Sequence, residues 1–598
     1  MHLPACASLL LSVVGLTALQ QAHAASLFES TENELSLTGS ETEIWLERRA
    51  GAWGKGTAPS RILHSQRNAA GDWLPLVEFD PVMSGGDGGD PFYHAASETL
   101  YFTSTRRHPV LGESEQNIWR IQRVDGTWRE PEVLPTPVNS AGVEYSPIKA
   151  GGRLYFASYR DGQGDLHVAS ETDSGWRIEP LGAAINSATG EWNLWVSDDE
   201  ALLVFEASER SGNISVSGDL YASMKDATGR WLPAVPLHDL NGAGSELNPR
   251  ALGDDLVYAS SSRQGTHTDL YRVSRASVID AVERAYEVRL HAVSRSSHRV
   301  REFSLLTGEK VRDRPIGPGP HLLAIRGSRL AVAAYGEYPR PHDEPVSNMP
   351  GWVQEDGGAL LIDGGSEQRL RLDCRRPHGA VFDASGDRLW VTCEDQEGVV
   401  GIDLRQQPPA PELLRTNQPG AHVIAYDERR DQLLVAHTEA GGVSFLNPAT
   451  GEADFLRLAP GAEALHLDKG RDELWVTLGP SGAVSVVGLA AKAELARLEP
   501  GCGFPIDFAL DGHERLWVAC FGSQELVAFD RATRAVVDRL SLTAGPLNIE
   551  AHPSLPVLYV SLPRQNRVVE LNLTGRGTTR RFDAGIEPDG LGLVPGVE

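Results

Sequence analysis

Three histidines and two carboxylates in the second half of the chain are the side chains best suited to bind a transition metal. His321, His378, His422 and Glu463 each precede an apolar triplet by nine or eleven residues, and Asp589 takes the matching place in the last segment. Imidazole and carboxylate groups together suit Zn, Cu or Fe. If the repeat places equivalent residues around one opening, these side chains form a transition-metal site. The alternative is that they cap strand starts or bind water.

Two further segments are expected at the same opening. His437 ends the second strand of the repeat that contains His422, so we predict that it lies on the same rim and adds to the metal site. A Pro-rich insertion, residues 336–352, follows the second strand of its own repeat and contains His342, Asp343 and Glu344. We expect this insertion to cover the opening in part.

A second set of candidate functional residues recurs in the first half of the chain. It consists of five acidic residues, predicted to lie along a channel: Glu34, Asp90, Glu144, Glu191 and Glu246. Each is followed 15 to 19 positions later by an arginine, and these are Arg49, Arg106, Arg160, Arg210 and Arg263. The acids could converge to bind a cation or act as acid and base, or each could pair with its own arginine. Pairing is favoured, because clustered unpaired carboxylates repel one another.

Sequence signatures of an activated nucleophile are absent from the chain. It contains no Gly-x-Ser-x-Gly, no His-Glu-x-x-His and no P-loop. It also contains no Cys-x-x-Cys-His, so covalently attached c-type haem is not expected.

The candidate residues stand in two series of repeats, and the first series has the longer period. After each acidic residue come two short hydrophobic strands, such as Tyr155-Phe156 and Leu166-His167, and a tryptophan after a Gly turn closes four of the copies. Short strands and turns at this spacing predict four-stranded blades. We therefore predict a β-propeller over residues 25–280, with five blades or with six if one is degenerate.

The second series has a shorter period and is marked by apolar triplets such as Leu389-Trp390-Val391 and Leu516-Trp517-Val518. The segment 586–591 looks like a first strand without the rest of its repeat, whereas the first copy, near Leu290, lacks that strand. A C-terminal strand that completes the first blade would close a ring of seven blades. The sequence thus predicts an all-β chain with two tandem β-propellers, the second over residues 284–598. Residues 276–282, between the two series, fit either a short helix or an outer strand.

Both series resemble known repeat families. The first is similar to the TolB-type, WD-repeat-like propellers, on phrases such as Glu144-Tyr145-Ser146-Pro147 and the Gly-x-Trp turns. The second resembles the YVTN-type propellers, related to cytochrome d1-like and lactonase-like seven-bladed folds, on phrases such as Arg388-Leu389-Trp390-Val391-Thr392. These resemblances imply the fold and leave the function open, since such propellers host binding, scaffolding and several chemistries. Both families are typical of bacteria, which favours a periplasmic location.

Four cysteines occupy matching places in two blades of the second series. Cys374 and Cys502 precede a first strand, and Cys393 and Cys520 end the second strand of the same blade. Since the two strands run antiparallel, both cysteines of a blade lie at the same rim. This register predicts the disulfides Cys374–Cys393 and Cys502–Cys520 in an oxidising compartment, with four free buried thiols as the alternative.

Composition and the N-terminal segment indicate an exported, acidic protein. The 598 residues carry a formal net charge of −26, which disfavours nucleic acid as a partner. Residues 9–19 are apolar and precede Ala22-His23-Ala24, so residues 1–24 are predicted to be a secretory signal peptide. No later segment has the apolar length of a membrane span. We expect a periplasmic or secreted protein whose partner is a small molecule or a protein of the cell envelope.

Two classes of function fit these residues. The first is a binding or scaffold protein with a ligand or metal site at the His-rich mouth of the second propeller. The second is an enzyme, for which two sites are possible. One is a metal-assisted hydrolase, lactonase or lyase that uses the three histidines with Glu463 or Asp589 as base. The other is a carbohydrate-active first propeller that uses Asp90, Glu144 and Glu246.

Overall fold

The computed structural model describes residues 30–51, 58–112, 116–210, 212–261, 267–336, 357–363 and 366–595. The predicted signal peptide and the insertion residues His342, Asp343 and Glu344 lie outside these ranges. The described helices are α1 (Asp80–Met83), α2 (Arg275–Ala285) and four short 3-10 turns, at Ala95–Ser97, Glu394–Gln396, Gly479–Ser481 and Pro563–Gln565. None of the helices in the described part has the length and apolar character needed to cross a membrane.

Five antiparallel sheets among the described residues of the first half of the chain form what we call the first ring. Their strands, sheet by sheet, are β1 Asn33–Gly39, β2 Glu43–Arg49, β3 Arg61–Gln66 and β4 Val77–Glu78; β5 Gly89–His94, β6 Thr99–Ser104, β7 Asn117–Val124, β8 Thr127–Trp128 and β9 Glu132–Val133; β10 Glu144–Ala150, β11 Arg153–Ser158, β12 Asp165–Thr172 and β13 Gly175–Pro180; β14 Glu191–Val196, β15 Leu202–Ala207, β16 Asp219–Met224 and β17 Val235–Pro236; and β18 Glu246–Leu252, β19 Asp255–Ser260 and β20 Asp269–Ser274.

Seven four-stranded sheets in the second half of the described chain form the second ring. Their strands are β21 Val288–Ser294, β22 Arg299–Ser304, β23 Lys310–Pro315 and, from the end of the chain, β48 Pro588–Pro595; β24 Pro320–Arg326, β25 Arg329–Ala334, β26 Gly358–Asp363 and β27 Ser366–Arg371; β28 Pro377–Phe382, β29 Arg388–Cys393, β30 Gly398–Asp403 and β31 Pro411–Arg415; β32 Ala421–Asp427, β33 Gln432–His437, β34 Gly442–Leu446 and β35 Ala453–Arg457; β36 Ala462–Asp468, β37 Glu473–Leu478, β38 Ala483–Gly488 and β39 Ala493–Leu498; β40 Pro505–Leu510, β41 Arg515–Cys520, β42 Glu525–Asp530 and β43 Val536–Ser541; and β44 Ile549–Ala551, β45 Val557–Leu562, β46 Arg567–Asn572 and β47 Gly577–Phe582.

In each group the first strands of the sheets contact one another in a closed circuit. In the first ring the order is β1, β5, β10, β14 and β18, and β18 contacts β1 again. In the second ring the order is β48, β24, β28, β32, β36, β40 and β44, and β44 contacts β48. The strand β48 pairs antiparallel with β21, from Val288 with Pro595 to Ser294 with Pro588. Each circuit of sheets encloses a central channel, so the predicted all-β architecture of two β-propellers is confirmed.

The second strand of each sheet lies in the core, and this explains the apolar triplets. Leu389, Trp390 and Val391 on β29 are at most 1% exposed. A strand in the middle of a sheet that is covered on both faces buries every side chain, so its sequence is a continuous apolar run. Clusters of these side chains join neighbouring sheets, as where Trp475 on β37 packs with Val518 on β41. The inner strands, by contrast, contain several side chains that are only half-buried, as on β28 and β32.

The chain divides into two compact units, and the site described below lies within one of them. That unit comprises Val282–Glu598 together with the short segments Leu181–Ala188 and Ser223–Val235. The segment 276–282, for which the sequence allowed a helix or an outer strand, forms part of helix α2.

Candidate functional site

Equivalent positions at the start of the inner strands surround one mouth of the channel in the second ring. In four strands this position lies in a β-bulge, for instance between Pro377 and Ala380 on β28, and a bulge re-aims the side chains that it contains. The residues at this position, in ring order, are Asp589, His321, His378, His422, Glu463, Ile506 and Leu547. The repeat therefore brings four of the predicted metal-binding residues and Asp589 to one opening.

A second set of equivalent positions lies directly after the second strand of each sheet. Its residues in the same ring order are Arg295, Tyr335, Glu394, Thr438, Gly479, Phe521 and Pro563. Arg295 and Tyr335 line the same cavity as the histidines, and Glu394 lies within 3.8 Å of the Nε2 atom of His422. These three residues are not among the site residues predicted from the sequence. They differ in type, so only their common position after a second strand could have drawn attention to them.

The first set of residues, with Arg295 and Tyr335 of the second, lines a cavity with a volume of about 250 Å³. It reaches across the channel from His378 and His422 to Asp507 and Asn548. Asp507 accepts hydrogen bonds from the side chain of Asn548 at 2.7 Å and from the backbone N–H of Ile549 at 2.9 Å. The cavity is open to solvent on one side and lined by charged, aromatic and aliphatic side chains, which is typical of a small-molecule site.

His378, His422 and Glu394 form a group of donors that could hold a metal ion. One donor atom from each residue lies within 4.8 Å of the others. The Nδ1 atom of His422 lies 3.0 Å from the backbone carbonyl of Glu463, and a carbonyl only accepts hydrogen bonds. In the neutral ring the proton is therefore on Nδ1, and the lone pair of Nε2 points toward the carboxylates of Glu394, at 3.8 Å, and Glu463, at 3.9 Å. This tautomer is the one that a metal at Nε2 requires.

Burial keeps both histidines neutral. It lowers the pKa of His422 to about 4, and it lowers the pKa of His378 well below the usual range, an effect to which neighbouring His422 and His321 add. The Nδ1 atom of His378 is buried and has no hydrogen-bond partner among the described residues. Neutral imidazoles with an available lone pair are the form in which histidine binds metals.

The pKa of Glu463, at the next position of the ring, is raised, whereas the pKa values of the two histidines are lowered. Burial, with the nearby charge of Glu394, raises the pKa of Glu463 to about 7. Space for this side chain comes from Gly479, where a Cβ atom would lie only 3.2 Å from the Cγ of Glu463 and 2.9 Å from the ring of Phe504. Glu394, by contrast, is held by the guanidinium of Arg376 at 3.2 Å. One carboxylate at the mouth is thus fixed by a cation, and the other is able to exchange a proton near neutral pH.

His321 and Asp589 form a pair on the other side of His378. The Nδ1 atom of His321 lies 2.8 Å from a carboxylate oxygen of Asp589, and its ring centroid lies 4.7 Å from that of His378. The ring of Tyr335 packs against His321, with centroids 4.0 Å apart and planes inclined by 34°, and burial raises the pKa of its phenol. Asp589 and Tyr335 therefore fix the orientation of the His321 ring at the mouth.

His437 does not lie in this cavity. It ends β33 in the core, with Nε2 2.8 Å from the hydroxyl of Ser444 and Nδ1 3.3 Å from the carbonyl of Pro419. Successive residues of a strand point to opposite faces, so the residue that reaches the mouth in this blade is the next one, Thr438. The prediction that His437 adds to the metal site is corrected accordingly.

Four of the predicted channel acids of the first ring lie at the start of an inner strand and are held by polar partners. Glu34 pairs with Arg48 at 2.8 Å, Glu144 with Arg160 at 3.5 Å and Glu191 with Arg210 at 2.8 Å. Glu246 accepts hydrogen bonds from Ser260 at 2.7 Å and from the N–H of Gly242 at 2.8 Å. The partner of Glu34 is thus Arg48 and not the predicted Arg49, while Arg263 lies outside the described residues.

Asp90 is out of register with the other four acids. In the ladder between β5 and β6 it occupies the bulge, the place that Ser146 takes between β10 and β11, so it stands two residues further along its strand. It accepts a hydrogen bond from Thr103 at 3.0 Å, and Arg106 donates instead to the carbonyl of Gly85 at 3.0 Å. The expected Asp90–Arg106 pair does not form.

Both predicted disulfides are confirmed. Cys374 is bonded to Cys393, with Cα atoms 5.6 Å apart, and Cys502 to Cys520, with Cα atoms 5.8 Å apart. The first bridge joins the two segments that lead to the metal-binding group, because Glu394 directly follows Cys393 and His378 lies four residues after Cys374.

The geometry of the two rings places the protein in the class of double β-propellers. No family model and no curated protein matches its sequence. Among solved structures, similarity extends over 46% of this chain to hydrazine synthase of Kuenenia stuttgartiensis (15% identity, 90% of that chain, TM-score 0.39) and to the β-propeller domain of Cps50 (Swd1) from Myceliophteria thermophila (16%, 90%, 0.38). It extends over the same share to virginiamycin B lyase from Staphylococcus aureus (11%, 92%, 0.38). At this level of similarity no activity is transferred.

Proposed function

We propose that the protein is an exported double β-propeller that binds a small molecule at a metal-containing site at the mouth of the second ring. The observation that supports this most strongly is the group formed by His378, His422 and Glu394, whose donor atoms lie within 4.8 Å of one another. The two histidines of this group line the cavity. A ligand in this cavity would contact the metal on one side and the aliphatic and polar wall on the other.

The donor set favours a transition metal over Mg²⁺ or Ca²⁺. Two neutral imidazoles and one carboxylate suit Zn²⁺, Cu²⁺ or Fe²⁺, whereas the alkaline-earth ions prefer oxygen ligands alone. Arg376 holds Glu394 in place at 3.2 Å, and the Glu463 carbonyl fixes the tautomer of His422. Three protein ligands leave coordination positions for a ligand molecule or water.

Export is supported by the two disulfides. Bridges between Cys374 and Cys393 and between Cys502 and Cys520 form and persist in oxidising compartments such as the periplasm or the extracellular space. Together with the sequence of residues 1–24, they lead us to propose that the mature protein works outside the cytoplasm.

A metal-assisted hydrolase or lyase is the second candidate function. The carboxylate of Glu463 is outside the group of three donors but lies 3.9 Å from the Nε2 atom of His422, on the cavity wall. It is therefore placed to take a proton from a substrate or an attacking water, and its raised pKa fits that role. This candidate predicts that the chain turns over a substrate, whereas a binding protein only holds it.

Metal titration of the purified full-length chain tests the proposal. After treatment with a chelator, Co²⁺ should bind as a single ion per chain, with visible absorption bands of an imidazole-ligated ion. His378→Ala and His422→Ala should each weaken binding about tenfold or more, because each removes one of three ligands. The exposed histidine His513 provides the matched control, so His513→Ala should bind like the wild type.

Two outcomes would contradict the proposal. One is the absence of saturable Co²⁺ or Zn²⁺ binding by correctly folded protein, and the other is binding that His378→Ala and His422→Ala leave unchanged. The enzyme candidate is tested by metal-dependent hydrolysis of a panel of lactones and p-nitrophenyl esters. Glu463→Gln should abolish turnover without changing Co²⁺ affinity, while Glu439→Gln, on an exposed residue, should change neither.

A further inference from the structure

The channel mouth of the second ring has a polar sector and an apolar sector. Five consecutive blades contribute the ionisable residues of the first-strand position, from Asp589 through the three histidines to Glu463. The two remaining blades contribute Ile506 and Leu547 at that position, and both line the cavity. We call Ile506 and Leu547 the apolar sector; Asp507 and Asn548 of the same two blades line the cavity beside them. A ligand can therefore place an apolar group on the two aliphatic side chains and polar groups elsewhere on the wall.

Arg295 supplies a positive charge at the polar end of the cavity. Its guanidinium lies over the ring of Tyr335, with the central carbon 6.0 Å from the ring centroid, and its side chain lines the cavity. None of the described residues places a carboxylate within ion-pair distance of it, and its Nε atom is buried without a hydrogen-bond partner. The other cation at the mouth, Arg376, is already paired with Glu394 and with Asp395 at 3.6 Å.

A half-buried arginine without a counter-ion costs free energy unless a ligand supplies the charge. Its planar fork of donors matches a carboxylate in a bidentate arrangement. We propose that the ligand of this site is a small monocarboxylate with an apolar body, whose carboxylate binds Arg295 and whose body packs against Ile506 and Leu547. This inference rests on the proposed function, because it assigns the ligand class of the same site.

The volume of the cavity and the charges that line it restrict the class of ligand further. The cavity of about 250 Å³ lies below the range of roughly 300–1,000 Å³ that is usual for drug-sized ligands, so the ligand is small. Glu463, Asp507 and Asp589 also line the cavity, so a ligand with one negative charge, placed at Arg295, meets less repulsion than a ligand with two. A dianion such as a phosphate monoester would leave excess charge near the carboxylates of Asp589 and Glu394, which raises its free energy of binding.

Binding of matched short-chain probes to the metal-free, full-length chain tests this assignment. Hexanoate and hexanamide have the same chain length and differ in charge, and calorimetry or ligand-observed NMR gives their affinities. We expect hexanoate to bind about tenfold more tightly than hexanamide, because a charge-assisted hydrogen bond is worth more than a neutral one. Acetate should bind more weakly than hexanoate, since it lacks the methylene groups that pack on the apolar sector.

Arg295→Gln should remove the preference for hexanoate over hexanamide and leave Co²⁺ affinity unchanged. The matched control is Arg581→Gln, on an exposed arginine of β47, which should keep the preference. The assignment is wrong if Arg295→Gln binds hexanoate as the wild type does, or if butyl phosphate binds more tightly than hexanoate. Because these measurements use metal-free protein, a failure of Co²⁺ binding in the wild type would contradict the proposed metal site and not the ligand class.

Discussion

The imidazole rings of His378 and His422 stack with their centroids 3.8 Å apart, and the planes are inclined by 30°. Two rings at this distance cannot both carry a proton without strong repulsion, and burial disfavours the charged form of each. The pair is therefore neutral well into the acidic range, with the pKa of His422 at about 4 and that of His378 also lowered.

Metal affinity should accordingly depend little on pH. Two histidines with ordinary pKa values near 6.5 would together lose about 100-fold in affinity between pH 7.5 and 5.5, because protons compete for the ligand nitrogens. His422, with its pKa near 4, and His378, shifted in the same direction, do not take up protons in this interval. We expect a loss well below 100-fold in a Co²⁺ titration at the two pH values, and a full 100-fold loss would show that both rings titrate normally.

The free energy of unfolding of the metal-free protein should depend on pH through the protonation of Glu463. Its pKa is about 7 in the folded protein and 4.5 in the unfolded chain, so the folded state binds the proton more readily between these values. By linkage, the wild type gains stability from this group as the pH falls from 8 to 5, by roughly 2 kcal/mol. Glu463→Gln cannot ionise and should lose that gain.

Urea unfolding at pH 8 and pH 5 measures the effect. Relative to the wild type, Glu463→Gln should be more stable at pH 8 and nearly equal at pH 5. Glu439→Gln, which alters an exposed carboxylate, should follow the wild type at both values. Equal effects of Glu463→Gln at the two pH values would argue against a proton that binds this side chain near neutrality.

The two disulfides should differ in their effect on the site. Each closes a loop of similar length, 19 or 18 residues, so replacing either pair by serine should cost roughly 3 kcal/mol of stability. Only Cys374–Cys393 joins the segments of His378 and Glu394, so only its removal should weaken Co²⁺ binding. The Cys502–Cys520 pair is a built-in control of the same chemistry and stability cost. If both double variants bound Co²⁺ equally, the bridge would have no role in positioning the ligands.

The ion pair between Arg210 and Glu191 should be important for the stability of the first ring. The two side chains are 2% and 0% exposed and 2.8 Å apart. Arg210→Met leaves a buried carboxylate without its cation, which costs about 3–5 kcal/mol, and adding Glu191→Gln should recover part of that loss. The exposed pair Arg177–Glu179 is the comparison, where Arg177→Met should cost about 1 kcal/mol or less. Thermal unfolding of the wild type and these three variants measures the differences in stability, and equal losses for Arg210→Met and Arg177→Met would contradict this prediction.

The sequence allowed the repeat architecture and the inner-strand ring to be predicted, because equivalent positions in a propeller face the same opening. His321, His378 and His422 share one position in the repeat and one residue type, so the pattern can be recognised in the sequence. The rim position was missed because Arg295, Tyr335 and Glu394 share a place but no chemistry. The prediction for His437 was wrong by one residue. Because successive side chains of a strand point to opposite faces, this difference places the side chain in the core and not at the channel mouth. Asp90 was misplaced because Gly88 takes the position of the acid in that repeat, whereas Asp90 lies in the bulge that the repeats share, two residues further along.

Strand β48 joins residues that are far apart in the chain, since it pairs with β21 and also carries Asp589, the partner of His321. Before this strand docks, the remaining sheets form an open arc, and Asp589 is not yet beside His321. Docking of β48 therefore closes the second ring and completes the wall of the cavity in the same step. A chain in which this strand has not yet docked would hold an incomplete cavity wall, while His378, His422 and Glu394 lie on or beside other strands.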